Sequence, residues 1–391
     1  MPKHEKGEPQ DLQPWQVSRR RFLRNTGLAA ATIPLLGGLT EVLSQVPADA
    51  SVRDAVRITK ANDLLAEGAV FASHPTYTFN FVNHVTTNPF FVPTQYGAAD
   101  ACALLGCKYQ WTGSTNSIVG DMVSAMNTAI AGRVSGISVP VIDPTAFIKP
   151  TDAAIDADIP VLSYNANPPA STASDNHQLC YIGQDLFQAG VEAGQRILPY
   201  VKKGDLVGGM IATPGSLNIQ PRIDGAKSVL KPAGIDFVEV ATGALLSDEF
   251  ASVPSWYLGH KDVKFMYAVD DGTGEAVAKT IAKYNLVGKV QGSGWDIAVP
   301  ELQAVKSGAL AFSIDQQAYL QGFLPVLYLF LFTITGGLMR PSDTDTGLYF
   351  ITKDNVGPYL AAPSRVEGST AAQKVLPKAT VSILKADAGV S

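Results

Sequence analysis

The stretch Tyr77–Leu105 reads YTFNFVNHVTTNPFFVPTQYGAADACALL. Its first seven residues have the β-type composition and the apolar-polar alternation that predict a strand. Asn88 and Pro89 come shortly after, and these residue types are favoured at the cap and in the first turn of a helix. An amphipathic run then continues to Gly106. The stretch therefore predicts one strand and one helix joined by a short polar turn.

This strand-and-helix unit recurs along most of the chain. The predicted strands are Tyr77–Asn83, Lys108–Trp111, Gly136–Val139, Val161–Tyr164, Leu179–Ile182, Leu206–Ile211, Phe237–Val240, Phe265–Ala268, Val290–Gly292, Ala311–Ile314 and Leu348–Ile351. The helices between them include Phe91–Leu105, Ile118–Ala131, Leu186–Tyr200, Gly272–Tyr284 and Ala298–Ser307. Strands that alternate with helices of this length predict parallel sheets with helices on both faces.

So many strands are too many for one small sheet, and we therefore expect two lobes. The fold class is α/β, with two doubly wound parallel-sheet lobes joined by a three-segment hinge. We expect the amino-terminal lobe at 77–183 plus 317–346, and the carboxy-terminal lobe at 184–316 plus 347–385. The chain would then cross between the lobes near Gly183, at Gln316–Gln317 and near Gly347. Residues 51–76 are expected to form a helical amino-terminal extension.

Residues 1–50 have the three parts of a twin-arginine signal peptide. The sequence SRRRFLR at 18–24 is followed by the mild apolar run Leu28–Leu39 and then by Ala48-Asp49-Ala50, a small-residue cleavage pattern. The alternative is a basic amphipathic helix on the surface of the folded protein. The signal predicts a protein exported to the periplasm or the extracellular space. No cysteine lies near the cleavage pattern, so we expect no lipid anchor.

Composition argues against several classes of protein. The 391 residues have a net charge of −5 and no basic stripe, so we expect no nucleic-acid partner. Phosphate-loop, HExxH, GxSxG and paired-cysteine motifs are all missing from the sequence, so we expect neither an enzyme nor a cofactor or metal. Cys102 and Cys107 are five residues apart, and we expect them on different faces of the helix end. The apolar run Phe323–Leu338 spans only 16 residues, which predicts a buried helix and not a membrane span.

Polar side chains gather where the predicted strands end. Right-handed crossovers place all carboxyl ends of parallel strands on one rim of each sheet, where ligands bind in open α/β folds. The residues at these ends are Asn88, Phe90, Phe91, Asn165, Arg222, Asp270, Asp296 and Gln316. Taken alone, capping and core packing would explain the first three, and turn formation would explain Asn165. Together, the amide, carboxylate and guanidinium groups favour a neutral ligand with many hydroxyl groups.

Four motifs in this order resemble those of the type I periplasmic sugar-binding proteins, the family of ribose-binding protein. They are Asn88-Pro89-Phe90-Phe91, Arg222-Ile223-Asp224-Gly225, Gly294-Trp295-Asp296 and Ile314-Asp315-Gln316. The resemblance runs from about Tyr77 to Leu360. It implies that Asn88, Phe90 and Phe91 bind the ligand from the first lobe, and that Arg222, Asp270, Asp296 and Gln316 bind it from the second lobe and the hinge.

The chain also departs from the family's pattern. Asn165 and Ala166 stand where the family has an Asp-Arg pair, and Asp270 stands in place of an asparagine. These changes argue against ribose itself and favour another pentose or a C4–C6 polyol. The expected function is that of a monomeric substrate-binding protein that delivers this sugar or polyol to an ABC transporter permease. The alternatives are an exported enzyme acting on a small hydroxylated substrate, and a binding protein for a chemoreceptor or a signalling furanose.

Overall fold

The computed structural model describes residues 74–169, 171–172 and 175–361. The strands in these residues are β1 (Thr78–Asn83), β2 (Lys108–Gly113), β3 (Gly136–Val139), β4 (Val161–Tyr164), β5 (Tyr181–Gly183), β6 (Leu206–Ile211), β7 (Asp236–Ala241), β8 (Val263–Ala268), β9 (Gln291–Ser293), β10 (Ser313–Asp315), β11 (Thr344–Asp345) and β12 (Tyr349–Ile351). The helices are α1 (Val92–Leu105), α2 (Val119–Ala131), α3 (Ile148–Asp156), α4 (Leu186–Ile197), α5 (Gln220–Leu230), α6 (Leu246–Gly259), α7 (Asp271–Lys283), α8 (Val299–Ser307), α9 (Leu320–Ile334) and α10 (Val356–Ala361).

The strands form two parallel sheets. The first has the order β11-β5-β4-β3-β1-β2, and the second has the order β7-β6-β8-β9. All pairings within these two sheets are parallel. We use "first lobe" for the part built on the six-stranded sheet and "second lobe" for the part built on the four-stranded sheet. The predicted fold class is confirmed: two doubly wound α/β lobes make up the described chain.

One pair of strands departs from the parallel arrangement. β10 and β12 pair antiparallel, with Ser313 opposite Ile351 and Asp315 opposite Tyr349. Between them the chain leaves the second lobe, forms α9 against the first sheet, adds β11 to that sheet and returns. An outgoing and a returning segment that lie side by side run in opposite directions, which explains the antiparallel pairing.

Each lobe has apolar cores on both faces of its sheet. In the first lobe, α1 and α9 cover one face, with Phe79 and Phe81 of β1 packed against Leu329 and Phe330 of α9. Met122 and other residues of α2 and α3 cover the opposite face. In the second lobe, α4 and α5 cover one face, while α6, α7 and α8 cover the other. Helices on both faces leave only the strand ends free to form a site.

The apolar run near residue 330 forms the greater part of α9. Val326, Leu329 and Phe330 are buried in the first-lobe core, as the sequence predicts. Pro325 lies inside this helix. Within the described residues, no helix has both the length and the apolar character needed to cross a bilayer.

The expectation for the cysteine pair is wrong. Helix α1 ends at Leu105, and Gly106 takes a left-handed conformation with a φ of 65°. The chain therefore folds back, and the backbone N–H groups of Gly106 and Cys107 both donate to the carbonyl oxygen of Cys102. This turn brings the two thiols close enough to affect each other's ionisation, which raises the pKa of Cys102 and lowers that of Cys107.

Two predicted segments lie wholly or mainly outside the described residues. The signal peptide at 1–50 is one of them, and the helical extension at 51–76 is the other, except for its last three residues. His74, Pro75 and Thr76 have no regular secondary structure. The carboxy-terminal lobe is predicted to run to residue 385, and the described part of it ends with α10 at Ala361.

Candidate functional site

The turn after β1 places two phenylalanine rings at the rim of the first lobe. Oδ1 of Asn88 accepts a hydrogen bond of 2.9 Å from the N–H of Phe90, and Pro89 opens a short 3-10 helix that leads into α1. Phe90 and Phe91 pack edge to face, with ring centroids 4.6 Å apart. Phe91 is buried and Phe90 only partly so. The Asn88 cap stabilises the turn, and the turn places both rings at the carboxyl end of β1.

Asn165 stands at the carboxyl end of β4. It is buried and has a φ of 62°, a left-handed conformation that asparagine tolerates better than most residues. Its Nδ2 donates to Oε1 of Gln321 on α9 over 3.1 Å, and Nε2 of Gln321 donates to the backbone oxygen of Gln316. The amide of Asn165 is thereby tied to the segment that leaves the second lobe.

Arg222 lies in the first turn of α5 and is almost fully buried. Nη1 donates to the carbonyl oxygen of Val269 over 2.7 Å, and Nη2 donates to Oε1 of Gln316 over 3.1 Å. The guanidinium carbon lies 4.3 Å from the ring centroid of Trp295, a cation–π contact. Nε is buried without a hydrogen-bond partner among the described residues. Burial lowers the pKa of Arg222, while the charge of Asp296 opposes that effect.

Asp296 and Gln316 complete this hydrogen-bonded group. Nε2 of Gln316 donates to Oδ1 of Asp296 over 2.7 Å. Asp296 is 5% exposed, and burial raises its pKa to about 7, against the opposing effects of the Arg222 charge and the Gln316 hydrogen bond. The guanidinium, amide and carboxyl groups thus form a chain from Arg222 through Gln316 to Asp296.

Asp270 caps helix α7. Its Oδ1 accepts from the N–H of Thr273 over 3.0 Å, and its Oδ2 accepts from the N–H of Ala212 over 3.2 Å. Asp271 follows it, and burial together with the neighbouring carboxyls of Asp296 and Asp270 holds the pKa of Asp271 well above its usual range. The second lobe therefore presents several crowded carboxyl groups at its rim.

These side chains line one cavity between the two lobes. All eight predicted residues line it: Asn88, Phe90, Phe91, Asn165, Arg222, Asp270, Asp296 and Gln316. We refer to this space as the interlobe cavity.

The interlobe cavity also has polar lining residues outside the predicted set. They are His84, Ser117, Thr213, Asn218, Glu249 and Asp271. His84 directly follows β1, and sequence reasoning expects it to be packed or in contact with the ligand. Asn218 precedes α5, and nothing in the sequence marks it. Glu249 lies inside α6, away from any strand end, so a search confined to strand ends passes over it.

His84 and Asn218 contact each other across the cavity. Nδ2 of Asn218 and Nε2 of His84 lie 3.0 Å apart. An amide nitrogen only donates, so the imidazole accepts and is neutral. Burial, with a smaller effect of the Arg222 charge, lowers the pKa of His84 to about 3. The backbone N–H of Leu217 also donates to the carbonyl oxygen of Ile142 over 3.0 Å, so the lobes touch directly beside the cavity.

The cavity offers hydrogen-bond acceptors, hydrogen-bond donors and aromatic faces. Its carboxyls accept from hydroxyl groups, its amide and guanidinium groups donate, and its phenylalanine rings suit C–H surfaces. Over the part of the chain that the structure describes, no group of three or more His, Cys, Asp and Glu side chains is arranged to hold a metal ion.

Residues 79–330 match the family described as periplasmic binding protein domain. A curated relative, the xylose/arabinose-binding protein XylF of Sulfolobus acidocaldarius, is 48% identical over 311 residues, which cover 77% of each protein.

Solved structures include an ABC transporter solute-binding protein of Burkholderia graminis in complex with D-arabinose. It is 26% identical with a TM-score of 0.67, and the match covers 73% of this chain and 99% of that one. A solute-binding protein of Agrobacterium vitis bound with α-D-tagatopyranose is 21% identical with a TM-score of 0.66, over 73% of this chain and 98% of that one. The family match, the close relative and the two-lobed architecture agree that this chain belongs to the periplasmic binding protein family.

Proposed function

We propose that this protein is the sugar-binding component of an ABC importer, and that it holds a neutral pentose in the interlobe cavity. The observation that carries the proposal is that polar and aromatic side chains from the strand ends of both lobes line one cavity between the lobes. The 48% identity to a protein named for xylose and arabinose binding supports a pentose. A C4–C6 polyol has the same pattern of hydroxyl groups and is the second ligand to test.

The residues divide the recognition between them. Phe90 and Phe91 pack against the C–H surface of the sugar, since an aromatic face suits that apolar surface. Asn88 and Asn165 meet hydroxyl groups from the first lobe. In the second lobe, other hydroxyl groups of the sugar form hydrogen bonds with the side chains of Asp270, Arg222, Asp296 and Gln316. Most of these side chains already have partners that hold their orientation, so little side-chain freedom is lost on binding.

Closure of the two lobes traps the ligand. The first lobe comprises 77–183 plus 317–346, and the second comprises 184–316 plus 347–385. Hydrogen bonds between the crossing segments support a hinge at this place. The N–H of Thr346 donates to the oxygen of Gly183, the Thr346 hydroxyl donates to the oxygen of Gln316, and Nε2 of Gln184 donates to the oxygen of Gly347. A ligand that contacts both lobes favours the closed state, because only that state offers both sets of contacts.

The closed monomer delivers its sugar to a membrane permease. Export by the twin-arginine route places the protein in the periplasm or the extracellular space, where such a permease is reached. The sequence SRRRFLR at 18–24 supports this route. We assign the protein no catalytic step and no cofactor.

The test is a ligand screen on the mature protein. D-xylose, L-arabinose, D-arabinose, D-ribose and C4–C6 polyols are compared by thermal shift and then by calorimetry. A pentose is expected to raise the melting temperature and to bind with one-to-one stoichiometry. The recovered sugar is analysed by mass spectrometry and is expected to be unchanged. Consumption of the sugar would establish an exported enzyme instead, and the absence of any sugar binding would refute the proposal.

A further inference from the structure

Glu249 is a buried acid on the second-lobe wall of the interlobe cavity. It lies in α6, is 3% exposed and lines the cavity. Its Oε1 accepts a hydrogen bond of 3.3 Å from the hydroxyl of Thr273. Its Oε2 is buried and has no hydrogen-bond partner among the described residues. A buried carboxyl oxygen without a partner at a cavity wall is expensive to maintain unless something else bonds to it.

The fold makes room for this acid at the start of α7. Gly272 lies beneath it, and a Cβ at that position would stand 1.8 Å from Oε2 of Glu249. The hydroxyls of Thr242 and Thr273 lie 3.1 Å apart, which ties the end of β7 to the same turn. The neighbouring residues therefore hold the carboxyl group of Glu249 in a defined position at the cavity wall.

The carboxyl of Asp270 lies close to Glu249, and burial and this negative charge both raise the pKa of Glu249. Two ionised carboxylates at that separation repel each other, so the pair holds a proton. Asp270 accepts two backbone N–H bonds, one on each oxygen, whereas Glu249 accepts one long bond from a hydroxyl. Backbone N–H donors favour the charged form, so Asp270 is the carboxylate and Glu249 carries the proton.

We propose that protonated Glu249 is a ligand-contacting residue that determines specificity, and that it bonds a hydroxyl of a neutral sugar beside the Asp270 carboxylate. The inference rests on the proposed function and adds a residue to it. A neutral carboxyl both donates and accepts, so with Asp270 it forms a mixed donor-acceptor pair suited to hydroxyl groups. A sugar acid would place a second negative group next to the Asp270 carboxylate, and we expect this repulsion to exclude it.

The charged groups that act on Glu249 are Asp270 and Asp271, both at the amino-terminal end of α7. Burial and these neighbours raise the pKa of Glu249 to about 10. Because the neutral form is the one that binds, Glu249 is expected to stay protonated and binding-competent at neutral pH, and affinity is expected to fall as the pH rises through about 10.

The experiment compares Glu249→Gln and Glu249→Ala with the control Asp248→Asn, an exposed acid next to Glu249 on the same helix. The probe is the pentose that the wild-type protein binds most tightly, and calorimetry is run from neutral pH to about pH 10.5. Glu249→Ala is expected to weaken binding by roughly tenfold or more, since it removes the carboxyl group that donates to and accepts from the sugar hydroxyl groups. Glu249→Gln keeps a donor and an acceptor, so it is expected to bind within about threefold of wild type and to lose the decline at high pH.

Each outcome decides the matter. Wild-type binding is measured first, and if no sugar binds, it is the proposed function that fails. Wild-type affinity in Glu249→Ala would overturn the proposed contact between Glu249 and the sugar. A large loss of affinity in Glu249→Gln at neutral pH, with the ligand-free melting temperature unchanged, would overturn the assignment of the proton to Glu249. If Glu249→Ala fails to fold, Glu249→Gln and the wild-type pH profile still test the proposal. Glucuronic acid and galacturonic acid are included, and tight binding of either would overturn the exclusion of sugar acids.

Discussion

Asn218 of the second lobe donates a hydrogen bond of 3.0 Å to the imidazole of His84 in the first lobe. Both side chains are buried, and the bond spans the wall of the interlobe cavity. The backbone bond from Leu217 to Ile142 lies beside it. These contacts need no ligand, so they stabilise the closed arrangement by themselves. The apparent affinity for a ligand depends on how much of the protein is already closed.

We expect Asn218→Ala to shift the ligand-free protein towards an open form. Loss of one neutral hydrogen bond of about 1 kcal/mol corresponds to roughly a fivefold lower affinity. Small-angle scattering of the ligand-free protein should show a larger radius of gyration, and calorimetry should show the weaker binding. The exposed Asn116 in the first lobe offers a control, Asn116→Ala, that should change neither. Unchanged scattering for Asn218→Ala would rule out this role.

Arg222 and Asp296 should each be essential for tight binding. Alanine at either position breaks the hydrogen-bonded chain through Gln316 and leaves the other charge buried. Charged hydrogen bonds in closed sites contribute about 1.5–3 kcal/mol, so each variant should weaken binding by at least about tenfold. Lys227→Ala is a matched control, because Lys227 lies on the same helix and pairs with Glu239 outside the cavity. A calorimetric titration of either variant with wild-type affinity would disprove the site.

The pH dependence should report the ionisation of Asp296. Its pKa is raised to about 7, so the carboxylate that accepts from Gln316 and from a sugar hydroxyl forms only as the pH rises through that value. Affinity for a neutral pentose should therefore increase between about pH 5 and pH 8, by at most roughly tenfold per pH unit, and then level off. Asp296→Asn should bind more weakly and give a flat profile over this range. A wild-type profile that is flat from pH 5 to 8 would contradict the assignment.

Gly190 on α4 controls the position of Arg222 without lining the cavity. A Cβ at Gly190 would lie 2.2 Å from the backbone oxygen of Arg222, so the two helices touch at this point. Gly190→Ala should push α5 away, lower the free energy of unfolding by about 1–3 kcal/mol and weaken sugar binding. Urea unfolding and calorimetry measure the two effects.

The control for this variant is Gly120→Ala in α2, where a Cβ meets nothing within 4 Å. That change should leave binding unaltered and raise stability by about 0.4–1 kcal/mol, because alanine restricts the unfolded chain. Equal affinity in the two variants would show that α4 does not position the guanidinium.

Local pattern was enough to predict most of the fold. Three of the strands, including Gly136–Val139 and Leu206–Ile211, have the predicted bounds, because runs of β-type residues between turn signals reflect the geometry of a strand. β11 was missed, since a strand of two residues is too short to show a period. The antiparallel pairing of β10 with β12 was also missed, because it arises from where the chain leaves and re-enters a lobe.

The sequence by itself determined the two-lobed α/β architecture and the eight rim residues, because strand ends of parallel sheets converge and the residues after each strand can be read directly. Only the tertiary structure decided which further side chains reach the same cavity. Glu249 faces it because Gly272, 23 positions along the chain, leaves room for its carboxyl, and His84 meets Asn218 because the lobes close on each other. Contacts between residues far apart in sequence leave no periodic pattern, so packing alone brings them together.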